Sequence, residues 1–196
     1  THTLVPFYQR YMGRQDLKLW INTHHSDEIH GLVGRKEADI GFVFSEVHYP
    51  ELVSQPIYRE RMFVLVHDSS PLQGAVAPEE LAAHSEVHLR WGSDYEQWHR
   101  RHWTPNRYAI RVNTGAMLVH YLHQPGAWAI APLSEVHAMQ RHHPIRALSL
   151  THPPPPRTCY KLTHVEPRQG QARALEEFAE ELLRFIREAQ TIEDIP

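Results

Sequence analysis

The stretch IGFVF at residues 40–44 decides the fold class of this chain. It is a short and continuous apolar run, which is typical of a strand that is buried on both faces. The stretch AWAIA at residues 127–131 has the same character. Around these runs, segments with helical and strand periodicity alternate along the chain. The alternation predicts an α/β protein with a mostly parallel sheet that helices cover on both faces.

The predicted elements follow from apolar spacing and from capping and turn residues. Strands are predicted at residues 17–21, 40–44, 53–58, 62–67, 86–91, 108–112, 127–131, 145–150 and 158–165. Helices are predicted at residues 4–13, 26–33, from 78 onward, 95–103, 116–124, 133–141 and 171–189. Prolines mark two breaks, at Pro71 and at Pro153–Pro156, where a stiff polyproline connector is expected. A single sheet is the simplest arrangement, but the two breaks favour two lobes between which the chain crosses twice.

Composition excludes several classes of protein. The 196 residues suffice for one large domain or two small lobes. The formal net charge is −3 and no Lys/Arg cluster is present, so the chain by itself is not expected to bind nucleic acid strongly. No apolar run approaches the ~18–20 residues that cross a bilayer, and no signal peptide is visible. Cys159 is the single cysteine, which excludes an intrachain disulfide and fits a cytoplasmic location.

Histidine is unusually frequent, with 17 residues. The first interpretation is scattered surface and capping histidines; the second is a metal site. Pairs with helical or adjacent spacing are His99/His102, His120/His123, His24/His25 and His142/His143. None belongs to an HExxH motif or has a cysteine partner or a matching Glu-x-x-His segment. We therefore expect no metal and no cofactor.

Motifs of common enzymes are also missing from the sequence. It contains no G-x-S-x-G elbow, no Cys–His signature and no Gly-rich phosphate loop. Catalysis is not expected.

Three stretches, in order, carry a family resemblance. The first is NTHHS at residues 22–26 with GRKEADIGF at 34–42. The second is QPIYRERMFVLV at 55–66 with SPL at 70–72, and the third is VNT at 112–114 through LV at 118–119 to PGAWAIAP at 125–132. Together they resemble the effector-binding domain of LysR-type transcriptional regulators, without its N-terminal helix-turn-helix. Two departures are that the family's first strand, just before Thr1, is missing and that Pro125 and Trp128 replace small residues, which would reshape the nearby cleft.

The resemblance implies a two-lobed, type 2 periplasmic-binding-protein-like fold, with Rossmann-like lobes joined by two crossover strands. Regulatory lobe I would hold residues 1–67 and 157–196, and regulatory lobe II residues 68–156. A small-molecule effector, or co-inducer, in the interlobe cleft would modulate DNA binding and transcription by the full-length protein. The resemblance also implies a homodimer through the edges of both lobes and a tetramer at full length. DNA would be contacted only through the absent N-terminal domain, and no membrane is expected as a partner.

The candidate effector site follows from where ligands bind in α/β sheets, at the carboxyl ends of strands and the amino ends of helices. The qualifying residues are Thr1, His2 and Thr3, then His25 and Ser26, then Arg90, Trp91 and Gly92, then Asn113 and Thr114. Ser26 and Thr114 are equally well explained as plain helix N-caps.

The chemistry of these residues favours a small anionic effector. Arg90 could clamp a carboxylate through two hydrogen bonds, or could form an ordinary surface ion pair. Trp91, with Tyr95 and Trp98, could wall an apolar side of the pocket, although Tyr95 and Trp98 could simply be core. His25 could add a protonatable donor.

Tyr8, Tyr11 and Trp20 form a candidate dimer edge, with ordinary core and surface packing as the alternative.

Two other functional classes compete with the regulator. A solute-binding receptor of a transport system has the same fold, and a metal-dependent enzyme could use the histidines.

Overall fold

The computed structural model describes residues 2–46, 48–105 and 107–189. The chain divides into two compact units, the first made of Thr1–Arg59 with Thr158–Pro196 and the second of Glu60–Arg157. The chain therefore passes between the units twice. The first segment of unit one ends at Arg59 and not at residue 67 as predicted. The reason is that the strand Met62–His67 pairs within the sheet of the second unit. The assignment of the units as regulatory lobes stays a prediction.

Within its described residues, the first unit contains a three-stranded sheet, three α-helices and a short 3₁₀ helix. The sheet has the order β1–β9–β2, with β1 at Ile40–Val43, β2 at Leu52–Glu60 and β9 at Arg157–His164. Strands β1 and β9 are antiparallel, with Ile40 opposite Thr163. A short 3₁₀ helix at His2–Leu4 precedes α1 at Val5–Gln9, and α2 and α7 cover Ser26–Gly34 and Ala172–Glu188.

The core of the first unit joins the beginning of the chain to its end. Phe7 of α1 is fully buried, and its ring packs edge-on against Phe178 of α7 at a centroid distance of 5.1 Å. Leu182 and Ile186 bury the same face of α7, as the apolar spacing predicts. Tyr11 also lies in this core, so it is not part of an exposed dimer edge. No helix in the described ranges is both long and apolar enough to cross a membrane.

The second unit is built on a six-stranded sheet with the order β4–β8–β3–β7–β5–β6. Its strands are β3 at Met62–His67, β4 at Ala75–Val76, β5 at Ser85–Leu89, β6 at Ile110–Val112, β7 at Ala127–Pro132 and β8 at Ile145–Leu150. Its helices are α3 at Pro78–Leu81, α4 at Ser93–His102, α5 at Gly115–Leu118 and α6 at Leu133–Gln140. Every residue of β7 is buried, and hydrophobic clusters cover both faces of the sheet.

Strand direction is more mixed than the prediction of a mostly parallel sheet. The pairs β4–β8, β5–β7 and β5–β6 are parallel. Strand β3 is antiparallel to both of its neighbours, β7 and β8, and β1 is antiparallel to β9. A doubly buried strand has the same apolar pattern in either direction, so the sequence does not distinguish them.

Two further predictions differ from the structure. Residues 17–21 are not a strand, because this segment pairs with no strand in the described part of the chain; only its alternation of half-buried and exposed side chains is present. The helix predicted at residues 116–124 shortens to α5, after which i→i+3 hydrogen bonds such as Tyr121 to Leu118 form turns. Leu118 and Leu122 are nevertheless both buried, so the helical spacing correctly identifies the buried face.

Candidate functional site

The carboxyl ends of β5 and β6 lie side by side at one end of the sheet in the second unit. The two strands are parallel, with Leu89 opposite Val112. The segments that follow, Arg90–Gly92 and Asn113–Thr114, therefore leave the sheet from neighbouring positions at the same level. The structure thus brings together two of the four predicted segments.

Arg90 is exposed at this strand end. Within the residues that the structure describes, its guanidinium has no hydrogen-bond or ion-pair partner, so the alternative of a surface ion pair has no support there. A guanidinium without a partner can donate two parallel hydrogen bonds to a carboxylate.

Trp91 and Gly92 fix the loop between β5 and α4. The indole Nε1–H of Trp91 donates to the backbone carbonyl of Ile130 in β7, and the guanidinium of Arg157 lies 4.6 Å from the centre of a Trp91 ring. Gly92 is the N-cap of α4 with φ of 119°, which side chains disfavour and glycine adopts freely. The loop that carries Arg90 is therefore anchored on both sides.

The apolar wall predicted around Trp91 is smaller than expected. Tyr95 and Trp98 are buried in the core, and Trp98 donates its indole N–H to the carbonyl of His152. Trp128 is also fully buried, with its ring centre 5.2 Å from that of Trp103. Trp128 therefore shapes the core and not a binding groove, and of these aromatic residues only Trp91 remains half-buried at the strand end.

An open groove of about 410 Å³ lies beside Asn113. Its other lining residues are Arg111, Val112, Met117 and Tyr121. The groove thus combines an arginine, an amide and two large side chains with apolar surface, which are residue types that contact small organic ligands.

A buried carboxylate lies beside the first turn of α5. Thr114 is the N-cap of α5, as predicted, although its side chain makes no capping hydrogen bond. Glu135 of α6 is buried, and its carboxylate occupies the space next to Gly115 where a Cβ would otherwise lie. The buried Glu135 side chain leaves no room for a ligand against Gly115 at the start of α5. An anionic ligand is therefore favoured beside Arg90.

The first unit carries the remaining predicted residues. His25, and not Ser26, is the N-cap of α2, because the backbone of His25 is extended and its N–H donates to Glu28 Oε2 at 3.1 Å. His25 is exposed and Ser26, the first residue of the helix, is half-buried. In the 3₁₀ helix His2 is exposed and Thr3 is buried, whereas Thr1 lies outside the described residues. That one effector contacts segments of both units stays a prediction.

Sequence reasoning missed a buried polar cluster on β5 and α4. Glu86 and His88 lie on one face of β5, and both face His99 of α4. Glu86 Oε1 accepts hydrogen bonds from His88 Nδ1 at 2.8 Å and from His99 Nε2 at 2.7 Å. Burial by itself raises the pKa of Glu86, but these two hydrogen bonds outweigh it and hold the pKa below its ordinary value.

The i,i+3 spacing of His99 and His102 suggested that these two histidines act together, and it therefore did not point to Glu86 and His88. His102 packs against Trp98 instead, at a centroid distance of 4.9 Å. The useful signal was the alternation of Glu86 and His88 with the apolar Val87 and Leu89, which places the two polar side chains on one face of a predicted strand. Glu86, His88 and His99 offer three ligand atoms within 4.8 Å of one another, the single such group of histidine, cysteine and acidic residues within the described ranges.

Several solved structures have a fold similar to that of this chain. The fold is similar to the reduced form of OxyR from N. meningitidis, with 15% identity, a TM-score of 0.77, and coverage of 99% of this chain and 93% of that one. It is also similar to the regulatory domain of MexT, a transcriptional activator in Pseudomonas aeruginosa, with 15% identity, a TM-score of 0.78 and coverage of 94% of each chain. The effector-binding domain of QuiR in complex with shikimate gives 15% identity, a TM-score of 0.75 and coverage of 96% and 92%. The fold is thus the type 2 periplasmic-binding-protein-like fold that the motifs imply.

Comparison of the sequence with known families identifies a family, whereas the similar structures identify only a fold. No curated protein matches the chain. Residues 1–186, however, match the model of a family described as the LysR substrate binding domain. Since this match spans nearly the whole sequence, the chain belongs to the LysR substrate-binding domain family.

Proposed function

We propose that this domain binds a small anionic organic effector and is the sensing part of a LysR-type transcriptional regulator. The observation that carries the proposal is the register of β5 and β6, with Leu89 opposite Val112, which places Arg90 next to Asn113 at one strand end. Membership of a family named for substrate binding supports it. The QuiR domain, which has a similar fold, binds shikimate, a small carboxylate.

The proposed mechanism is a shift between conformations of the domain. A ligand can shift such an equilibrium only by the difference between its affinities for the two states. In the full-length protein, the shift would be transmitted through a homodimer, and then a tetramer, to an N-terminal DNA-binding domain in the cytoplasm. Trp20, which is 89% exposed, is our candidate contact for the dimer. The domain itself performs no catalysis in this proposal.

The alternative of a solute-binding receptor shares the fold. The family match favours the regulator, because it identifies the LysR branch and not transport receptors. Isolation of the longer gene product distinguishes the two: the regulator carries a helix-turn-helix and a linker helix, whereas the receptor carries an export signal.

Calorimetry with matched ligands tests the effector site. A panel of small carboxylates is titrated into the domain, together with the corresponding amides and amines. For a carboxylate that binds, we expect Arg90→Ala to weaken affinity about 10- to 100-fold, since a charge-assisted hydrogen bond contributes ~1.5–3 kcal/mol.

Arg101→Ala is the matched control. Arg101 is an exposed arginine in the last turn of α4, at the opposite end of the helix from Arg90, so its removal should leave the affinity unchanged. Binding of neutral or cationic ligands alone, with no effect of Arg90→Ala, would contradict the proposal.

A further inference from the structure

Three side chains in the interior of the second unit have the composition of a transition-metal site. Glu86, His88 and His99 are 3%, 3% and 4% exposed. They come from the inward face of β5 and from the facing side of α4, so two rigid elements hold them. Two imidazoles and one carboxylate form a ligand set that Zn²⁺ and similar divalent ions prefer.

A bound ion would require all three side chains to move. In the structure, His88 Nδ1 and His99 Nε2 lie 2.8 and 2.7 Å from the same oxygen, Glu86 Oε1. Tetrahedral ligands with bonds of about 2.0–2.1 Å lie about 3.3 Å apart. The ligand atoms lie within 4.8 Å of one another. For an ion to replace the two N–H protons, the carboxylate therefore has to withdraw by roughly 0.6 Å and the two ring nitrogens have to approach each other by up to about 1.5 Å, which side-chain torsions would have to provide.

The second carboxylate oxygen is an independent sign of a ligand. Glu86 Oε2 is buried and has no hydrogen-bond partner among the described residues. Buried polar atoms are nearly always paired, so such an orphan requires an explanation. An ion at this position would give the carboxylate a partner that the protein alone does not supply.

Glu96 provides the outer partner that ligating histidines usually have. His88 Nε2 lies 3.0 Å from Glu96 Oε1, on the side of the ring away from Glu86. A carboxylate that accepts the other ring N–H fixes which nitrogen is free to bind an ion, and orients the ring. Tyr108 and Tyr95 stack on His88 at centroid distances of 5.0 and 5.9 Å and restrict it further.

We propose that Glu86, His88 and His99 bind one divalent transition-metal ion, of the Zn²⁺ type. The fourth coordination position is left for a water molecule. The ion would fasten α4 to β5 on both sides of the loop Arg90–Gly92. The site is separate from the effector site, so either proposal can fail without the other.

Titration with Zn²⁺ alone tests the site on chelator-treated protein. The exposed histidines among the 17 of the sequence will also bind Zn²⁺ weakly, so the readout must separate this surface binding from binding at the buried site. Calorimetry should show one tight ion per chain. Co²⁺ in its place should give the intense visible absorption of a four-coordinate ion, which exposed histidines do not produce.

Three variants make the result specific. His99→Gln should abolish the tight site, whereas the double variant His142→Gln/His143→Gln, which removes an exposed pair, should retain it. Since His99 is buried, its replacement could also unfold the protein. Glu96→Gln avoids this, because the Glu96 side chain is 23% exposed and glutamine has the same shape.

For Glu96→Gln we expect an affinity for Zn²⁺ about 10- to 100-fold lower, with unchanged circular dichroism. The proposal is overturned if the wild-type protein shows no tight ion and only a weak, six-coordinate Co²⁺ spectrum. It is equally overturned if Zn²⁺ binding falls with His142→Gln/His143→Gln but not with Glu96→Gln.

Discussion

The carboxylate of Glu135 fills the space that a side chain at position 115 would need. Gly115 begins α5 and Glu135 lies in α6, so the absence of a Cβ lets the two helices approach. The contact also brings a buried polar side chain to the end of the sheet where Asn113 and Thr114 emerge. The shape of this part of the candidate site therefore depends on one glycine.

Gly115→Ala should lower the free energy of unfolding by about 1–3 kcal/mol, because the added methyl group would displace a buried carboxylate. Urea unfolding followed by circular dichroism measures the change. Gly126→Ala is the control, because its Cβ would meet only His84 Nδ1, at 3.9 Å, and it should change the stability by less than about 0.5 kcal/mol. Equal effects of the two variants would show that Glu135 does not occupy this space.

Trp91→Phe should also destabilise the domain, by about 1–3 kcal/mol. The substitution retains an aromatic ring for Arg157 but removes the N–H that donates to the carbonyl of Ile130, which is buried and would lose this partner. Thermal unfolding is the measurement. Trp20→Phe, at an exposed position, serves as the control and should leave the melting temperature nearly unchanged. If it lowered the melting temperature as much as Trp91→Phe does, the indole hydrogen bond of Trp91 would not be the cause of the destabilisation.

The pair Tyr11–Glu181 should make the stability of the first unit depend on pH. The Tyr11 hydroxyl donates to Glu181 Oε2 at 2.6 Å and, together with Arg14, holds the pKa of Glu181 below its ordinary value. The pair thus stabilises the fold above the unfolded-state pKa of about 4.3, and this contribution is lost as the pH falls through the lower pKa of the folded state.

The melting temperature of Glu181→Gln should therefore be lower than that of the wild type at neutral pH, and the difference should disappear in acid. The effect should be small, because the Glu181 side chain is 38% exposed and water screens the pair. Glu180→Gln removes an exposed carboxylate of the same helix and serves as the control. A difference that grows in acid would contradict the assignment.

Cys159 should be unreactive in the folded protein. It is the only cysteine, and it is completely buried in the core of the first unit. A maleimide should therefore label it only when the domain unfolds, since inaccessible thiols react through open states. Rapid labelling of the native protein, with unfolded protein as the reference, would show that the thiol is accessible. Slow labelling would indicate that this domain does not use a surface thiol to sense its signal.

Much of the secondary structure could be predicted from the sequence, but strand direction could not. The bounds of β3 and β8 agree with the structure to the residue, because apolar runs and flanking turn residues are local signals. The segment Leu17–Ile21 has the alternation of a strand but no partner strand in the described residues, and pairing is a property of the whole fold.

The candidate site was predictable in the same local sense. Arg90 and Asn113 follow strands, as their neighbours in the sequence indicate, and the structure adds that these strands are adjacent. The cluster of Glu86, His88 and His99 could not be found by helical spacing, because its members come from a strand and a helix. Its detection requires knowledge of which face of β5 meets α4.

The shared core of the first and last segments of the chain has a consequence for synthesis on the ribosome. Phe7 and Tyr11 are synthesised before the second unit, but their partners Phe178 and Leu182 are synthesised after it. The second unit, a continuous segment, can fold while the first still waits for α7. During that interval Phe7 and Tyr11 lack the partners that bury them in the folded unit, so their aromatic surface stays exposed to water.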